Sequence, residues 1–420
     1  MKTKFVDTDD DVFSMQILIP CGSINEQDDQ SGISHFLEHI KFKKTNSSNK
    51  MNQEYYKAKQ LGTAIHAYTT NDYTTFFTRS SSDIWKDVIK LLISVVFDTD
   101  FTKNKIEKER KIILEEKALR HDVHTHLKHL DKLYLSGDNP YITKSITGSK
   151  ESLKNITNED MKKYNDIHYA VNNCIFLIAC NQKDREPIIN FTLKTLKKIK
   201  NIKWDSKTND IIDDCIYKKY NYQLKVDLVS GLKYNKVLLY FRGFSLTSEN
   251  IAYLPMINYL ITEELYKELR EKNAYVYKIH CSDQPQMYVG VSQITFTTTN
   301  HNVSKIFKKI IHIIHKLKMN KELFEEYKNM YVNFFDNEIS YNIDHLSGLM
   351  ENVSFSKKCI KDSIALREIY NSFSYENFKK IVDYIFDVNV MSVMVISNKK
   401  TVDHHIKSFQ KSIESIRRNA

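Results

Sequence analysis

The chain has 420 residues, 41% hydrophobic and 12% aromatic, with a formal net charge of +10. That is enough apolar residue for two or more cores and excludes bulk disorder. No apolar run approaches the ~18 residues of a membrane span. The charge is mostly lysine interleaved with Glu and Asp, without an aromatic–basic motif or a dense basic tail, so neither a membrane nor a nucleic acid is an expected partner.

In chain order, residues 1–11 hold no apolar leader segment, and a cytoplasmic protein is expected. A strand is predicted over 14–20, a helix over 31–43, a strand over 74–80, and helices over 84–97 and 103–120. A continuously apolar strand follows at 174–180. A basic helix over 187–200 carries Pro187 in its first turn. Residues 204–214 are polar and read as a linker, with a new strand starting near Ile216. Strands over 237–242, 293–298 and 391–397 and helices over 251–271, 303–317 and 321–337 complete an α+β pattern. The scarce glycines Gly22, Gly32, Gly62 and Gly148 mark places that need backbone freedom or small size.

Residues 160–181 align without gaps with 377–398. Lys162/Lys379, Lys163/Lys380, Asp166/Asp383, Val171/Val388, Asn172/Asn389 and Asn181/Asn398 are identical pairs. Each segment reads as a helix, a turn and a buried strand. Two homologous domains, 1–203 and 215–420, are therefore expected, each an antiparallel-rich sheet covered on one face by long helices. The six cysteines form no C-x-x-C. Cys174 and Cys180 read as core thiols, which suits a reducing compartment and argues against a cysteine metal site.

The chemistry concentrates in His35-Phe36-Leu37-Glu38-His39, an H-x-x-E-H pattern. On a helix His35 and His39 share one face, so both imidazoles can reach one metal. Glu38 lies on nearly the same face, where a carboxylate can take a proton from water. A catalytic zinc needs a third protein ligand. Residues 107–118 form a helix without Gly or Pro, and Glu109 and Glu116 are two turns apart on one face. Glu116 is a candidate ligand, and Glu109 a candidate partner that orients a ligating histidine. Spacing alone does not choose between Glu115 and Glu116.

These residues resemble the insulinase/pitrilysin family of zinc peptidases, and within it short-chain members like the mitochondrial processing peptidase beta subunit. Gly32, His35, Phe36, Leu37, Glu38, His39 and Phe42 match G-x-x-H-F-L-E-H-x-x-F. Glu109, Arg110 and Glu116 match E-R-x-x-x-x-x-E, whose last glutamate is the family's third ligand. The resemblance selects Glu116, 77 positions after His39. Gly22 through Glu26 resemble the G-S-x-x-E turn before the zinc helix. Residues 62–69 resemble the strand whose edge receives substrate, which implies substrate contacts at His66, Ala67 and Thr69. Residues 269–277 resemble L-R-E-x-x-G-L-A-Y, which implies that Arg270 and Tyr277 hold the substrate and the tetrahedral oxygen.

Four departures are visible. Lys44 stands at a usual glycine, implying a changed turn after the zinc helix. His66 replaces an asparagine. Asn273-Ala274 replaces a basic–Gly pair, implying altered geometry before Tyr277. Few residues precede residue 14, implying a reduced first strand. The family's fold and activity imply a zinc metalloendopeptidase with one Zn2+ per chain, acting on peptides or unfolded segments, whether to process a precursor or to turn peptides over. The positive surface would favour acidic peptides. Family peptidases close as a clamshell of two such halves, so two chains are implied. A homodimer is expected because this chain carries both the zinc motif and the Arg/Tyr pair. The alternatives are a heterodimer with a homologous chain and a catalytically inactive partner subunit.

Overall fold

The computed structural model describes residues 1–8, 11–42, 53–119, 144–199, 224–228, 234–299, 303–341, 343–358 and 360–397, with a few positions nearer the C-terminus. The expected linker at 204–214, the strand near Ile216, Lys44, Cys215 and Cys359 lie outside the described residues.

Strands β1 (Lys2–Asp7), β2 (Val12–Ile19), β3 (Ile65–Thr69), β4 (Thr74–Ser81) and β5 (Ile175–Cys180) form one sheet in the order β1-β5-β2-β4-β3. Strands β6 (Leu224–Leu228), β7 (Asn235–Gly243), β8 (Lys278–Pro285), β9 (Gly290–Thr298) and β10 (Ser392–Ser397) form a second, in the order β6-β10-β7-β9-β8. The two orders are the same when each strand is replaced by the one five places later. In each sheet one neighbouring pair is parallel, β1 with β5 and β6 with β10. The other pairs are antiparallel. The aligned segments at 160–181 and 377–398 contribute β5 and β10, which occupy equivalent places.

The first strand is not reduced. β1 runs six residues beside β5, because Phe5 and Val6 bury in two different cores. Helices α1 (Ile33–Lys41), α2 (Gln53–Gln60), α3 (Trp85–Phe97), α4 (Lys103–Leu119), α5 (Lys150–Asn155), α6 (Asn158–His168) and α7 (Arg185–Leu196) belong to the first half. Helices α8 (Leu254–Tyr266), α9 (Val303–Lys318), α10 (Lys321–Tyr341), α11 (Ile343–Val353), α12 (Ser363–Asn371) and α13 (Tyr375–Ile385) belong to the second. The single helix expected over 251–271 is three pieces: a 3-10 turn, α8 with proline in its first turn, and a π-helical turn over Lys267–Glu271. Proline suits a helix start because it has no N–H to leave unpaired there.

The expectation of helices on one face holds for one face only. Met15, Ile17, Ile19, Phe176 and Ile178 pack with the first half's own helices. The alternate residues Leu18, Ile175, Leu177 and Ala179 join the core of the second half, where α11 lies against β1 and β5 and α12 against β1. A strand buried on both faces needs no polar alternation, which explains the uninterrupted IFLIAC of β5. Cys21, Cys174, Cys180 and Cys281 are buried free thiols. Burial pushes the Cys174 and Cys180 thiols up to about 12, so they remain protonated and unreactive. Among the described residues no helix is long and apolar enough to cross a membrane.

Candidate active site

Helix α1 forms because Ile33, Phe36, Leu37 and Ile40 repeat at helical spacing and bury in the first core. Its start is defined by two features. Gly32 takes a left-handed backbone with φ of 94°, and a Cβ there would lie 2.9 Å from the Gly148 Cα, so only glycine fits. The backbone N–H groups of Gly32 and Ser34 donate to the Glu26 carboxylate at 2.7 and 2.9 Å. A carboxylate at a helix N-terminus satisfies orphan donors and complements the dipole. Burial nevertheless raises the Glu26 carboxyl to about 7, against the lowering effect of those bonds. Gly22 shares the crowding, since a Cβ there would meet the Asn71 carbonyl oxygen at 2.5 Å.

The opposite stripe of α1 carries His35, Glu38 and His39. Their partners come from α4, where Glu109 and Glu116 occupy one face. His39 Nδ1 lies 3.0 Å from Glu109 Oε1. His39 Nε2 lies 3.5 Å, and His35 Nε2 3.9 Å, from Glu116 Oε2. One ligand atom from each of His35, His39 and Glu116 falls within a 4.8 Å set. Four ligands about 2.0–2.1 Å from a tetrahedral zinc sit roughly 3.3 Å apart, so this donor set fits that ion. Two neutral imidazoles and one carboxylate also match zinc's ligand preferences. Glu115, by contrast, is exposed.

Glu109 is 2% exposed. A carboxylate on Nδ1 sets the tautomer that leaves Nε2 to a metal. Arg110, next to it, anchors α4: its guanidinium donates to the Ile156 carbonyl at 2.7 Å and lies 5.4 Å from the centroid of Phe36. Glu38 is buried, and the Thr69 hydroxyl donates to its Oε2 at 2.5 Å.

Among the described residues strand β3 is a sheet edge, paired only with β4. Its side chains alternate: Ile65, Ala67 and Thr69 are half-buried, and His66 is exposed on the other face, stacked on Phe77 at 5.4 Å. The three residues expected to contact substrate therefore divide between two faces.

Arg270 sits in the π-helical turn after α8. Its guanidinium lies 5.2 Å from the centroid of the Tyr277 ring and donates to the Val276 carbonyl at 3.4 Å. Tyr277 is 65% exposed. Among the described residues neither has a contact with the His35–His39–Glu116 cluster. The expected change before Tyr277 is accommodated in the backbone. Ala274 adopts a left-handed φ of 49°, the one positive φ among the described non-glycine residues.

Residues 6–134 match Insulinase (Peptidase family M16), and residues 155–331 match the Peptidase M16 inactive domain. The chain belongs to the insulinase family. A protein described as an uncharacterized zinc protease of Rickettsia felis is 24% identical over 74% of this chain and 75% of its own. The human mitochondrial-processing peptidase subunit beta is 28% identical over 36% of this chain and 31% of its own. In fold, a protease from Helicobacter pylori superposes with a TM-score of 0.73 at 18% identity, covering 94% of this chain and 96% of that one. The inactive-domain match begins within the first half, before α6, and runs on to residue 331 in the second half, which has no H-x-x-E-H.

Sequence reasoning missed three contributors. Thr69 was expected only to meet substrate, but it also holds Glu38. Glu351 of α11 accepts from Gln16 Nε2 at 2.6 Å and from the Tyr68 hydroxyl. Lys41 of α1 is 2% exposed, and its Nζ donates to the Val96 carbonyl at 2.8 Å over the Tyr169 ring. No short-range pattern marks any of these.

Proposed function

We propose that this chain is a zinc metalloendopeptidase that cleaves peptides or unfolded segments. The observation that carries the reading is the convergence of His35, His39 and Glu116, with Glu38 held beside them by Thr69. His35 Nε2, His39 Nε2 and a Glu116 oxygen would hold the ion, and Glu109 would orient His39. Zinc, when bound, polarises the scissile carbonyl and makes a water acidic. Glu38 takes the proton of the attacking water and returns it to the leaving amine. The Thr69 bond fixes one oxygen of Glu38, so the carboxylate does not have to reorganise during the transfer.

The peptide would add as a strand to the open edge of β3, with main-chain bonds supplying affinity and alternate side chains supplying selectivity. Arg270 would bind the peptide, and the Tyr277 hydroxyl would donate to the developing oxyanion. Their position away from the metal cluster, and the exposure of Tyr277, support a chamber in which these groups come from a facing chain. We take that chain to be a second copy, because one sequence carries both sets.

The test is metal analysis coupled to one substitution. Purified protein should hold about one zinc per chain, and a chelator should abolish cleavage that added zinc restores. Glu38→Gln should keep the metal and lose cleavage by several orders of magnitude. Protein that neither holds nor takes up zinc would overturn the peptidase reading in favour of an inactive partner subunit.

A further inference from the structure

We propose that Glu351, on α11 of the second half, is a positioning residue for hydrolysis: it fixes β3 and, through Thr69, the carboxylate of Glu38. The inference rests on the peptidase reading above and assigns part of its active site to the half of the chain without the metal motif. Glu351 is 7% exposed. Gln16 Nε2 on β2 donates to its Oε2 at 2.6 Å, and the Tyr68 hydroxyl on β3 donates to its Oε1. Gln16 Nε2 also donates to Thr75 on β4 at 3.0 Å, and Thr75 is the direct cross-strand partner of Tyr68. One carboxylate, with Gln16 beside it, thus ties β2, β4 and β3 to a helix of the second half.

These bonds lie on the sheet face turned away from α1, where Leu18 joins the core of the second half. Successive strand residues point to opposite faces. Thr69, the next residue, therefore points back to α1 and donates to Glu38 Oε2 at 2.5 Å. Tyr68 and Thr69 share one peptide unit, which is planar and stiff, so a displacement of Tyr68 moves the Thr69 hydroxyl with it. The turn after β3 is gripped by the same part of the second half. The Tyr73 and Phe355 ring centroids are 5.4 Å apart, and the Tyr73 carbonyl accepts from the Thr70 N–H at 2.8 Å. Phe355 follows the end of α11.

Packing alone does not call for a carboxylate here. Burying a charge is costly unless donors satisfy it, and an apolar side chain would fill the same space without that cost. What the carboxylate adds is direction. Apolar contacts let a strand slide, whereas charge-assisted hydrogen bonds hold it at a set distance and angle. Burial and the Glu351 charge push the Tyr68 hydroxyl up, which keeps it protonated and in the donor role. A general base needs that precision, because a misplacement of about 1 Å can cost ~10²-fold in rate.

The experiment compares zinc-loaded full chains on a quenched-fluorescence peptide chosen because the wild type cuts it. Glu351→Met removes both acceptor oxygens at similar volume, and Tyr68→Phe removes only the hydroxyl that links α11 to β3. Each should lower kcat about 10–100-fold, with KM within about three-fold and zinc content unchanged. Glu351→Gln combined with Gln16→Glu exchanges donor and acceptor, keeps an oxygen at position 351 for Tyr68, and should recover most of the kcat that Glu351→Met loses. Asp344→Asn, which cuts an exposed ion pair between α11 and Arg79 of β4, should leave kcat unchanged. Hydrogen exchange gives a readout independent of activity. Amides over 65–73 should exchange about ten-fold faster in Glu351→Met and Tyr68→Phe, and at the wild-type rate in Asp344→Asn. If Glu351→Met does not fold, Tyr68→Phe and the exchanged pair decide. Wild-type kcat in Tyr68→Phe with no recovery in the exchanged pair, or a fall in kcat that tracks loss of zinc, would overturn the positioning role and leave the peptidase reading standing. A wild type that holds zinc and cuts no peptide would overturn both.

Discussion

Glu109→Gln isolates the contribution of a residue that touches no substrate and, in the proposed site, no metal. Its carboxylate is 2% exposed and lies 3.0 Å from His39 Nδ1. A carboxylate there accepts the Nδ1–H proton and leaves Nε2, on the Glu116 side, as the ligand atom. The amide keeps the shape but loses the charge, and charge-assisted hydrogen bonds are about twice as strong as neutral ones. Loss of such a partner typically weakens metal binding ~10–100-fold, equivalent to ~1.4–2.7 kcal/mol. The assay is competition for zinc against a chelator of known affinity, with thermal unfolding of the metal-free proteins as the check on folding. Glu107→Gln and Glu115→Gln, exposed on the same helix, should stay within about two-fold of wild type, since solvated glutamates contribute little. Glu116→Gln should lose more than Glu109→Gln. Wild-type affinity in Glu109→Gln would refute the tautomer argument. A loss in Glu115→Gln as large as in Glu116→Gln would refute the register of α4.

Co-expression of a Glu38→Gln chain with a Tyr277→Phe chain, each weakly active, should restore part of the activity, because one chamber of the mixed dimer would combine an intact Glu38 with an intact Tyr277. No gain over the singles, together with monomeric sedimentation, would refute the two-chain chamber. Ala274→Gly should raise stability by up to ~1 kcal/mol in urea unfolding, because it removes the left-handed strain at φ 49°; a loss of stability would show that the Ala274 backbone is not strained. Burial lowers His168 from 6.5 to about 4. Between those values the unfolded chain binds the proton and the folded chain does not, so stability falls as pH drops through that window, by ~3 kcal/mol once below both values. His168→Phe, which keeps a ring against Tyr164, should flatten that part of the pH–stability curve, and an unchanged slope would refute the assignment.

The candidate metal cluster was legible because it is built from local spacings. His35 and His39 are one turn apart, and Glu109 and Glu116 are two turns apart. Helical geometry alone puts each pair on one face, whatever the helices pack against. The doubling of the fold was legible in the aligned segments at 160–181 and 377–398, since a helix followed by a buried strand leaves a recognisable pattern. Beyond that, the sequence alone left the joining of α1 to α4 to a family resemblance, because no spacing rule connects two helices so far apart in the chain. Only the tertiary structure decided that Thr69 turns toward Glu38 while His66 and Tyr68 turn away, and that the second half covers the other face of β5. The contact between Gln16 and Glu351 joins residues 335 apart, and that between Tyr68 and Glu351 joins residues 283 apart. Neither leaves a periodic trace, because a buried carboxylate is stabilised by whatever donors the packing of two halves brings to it, and that packing depends on the whole chain at once.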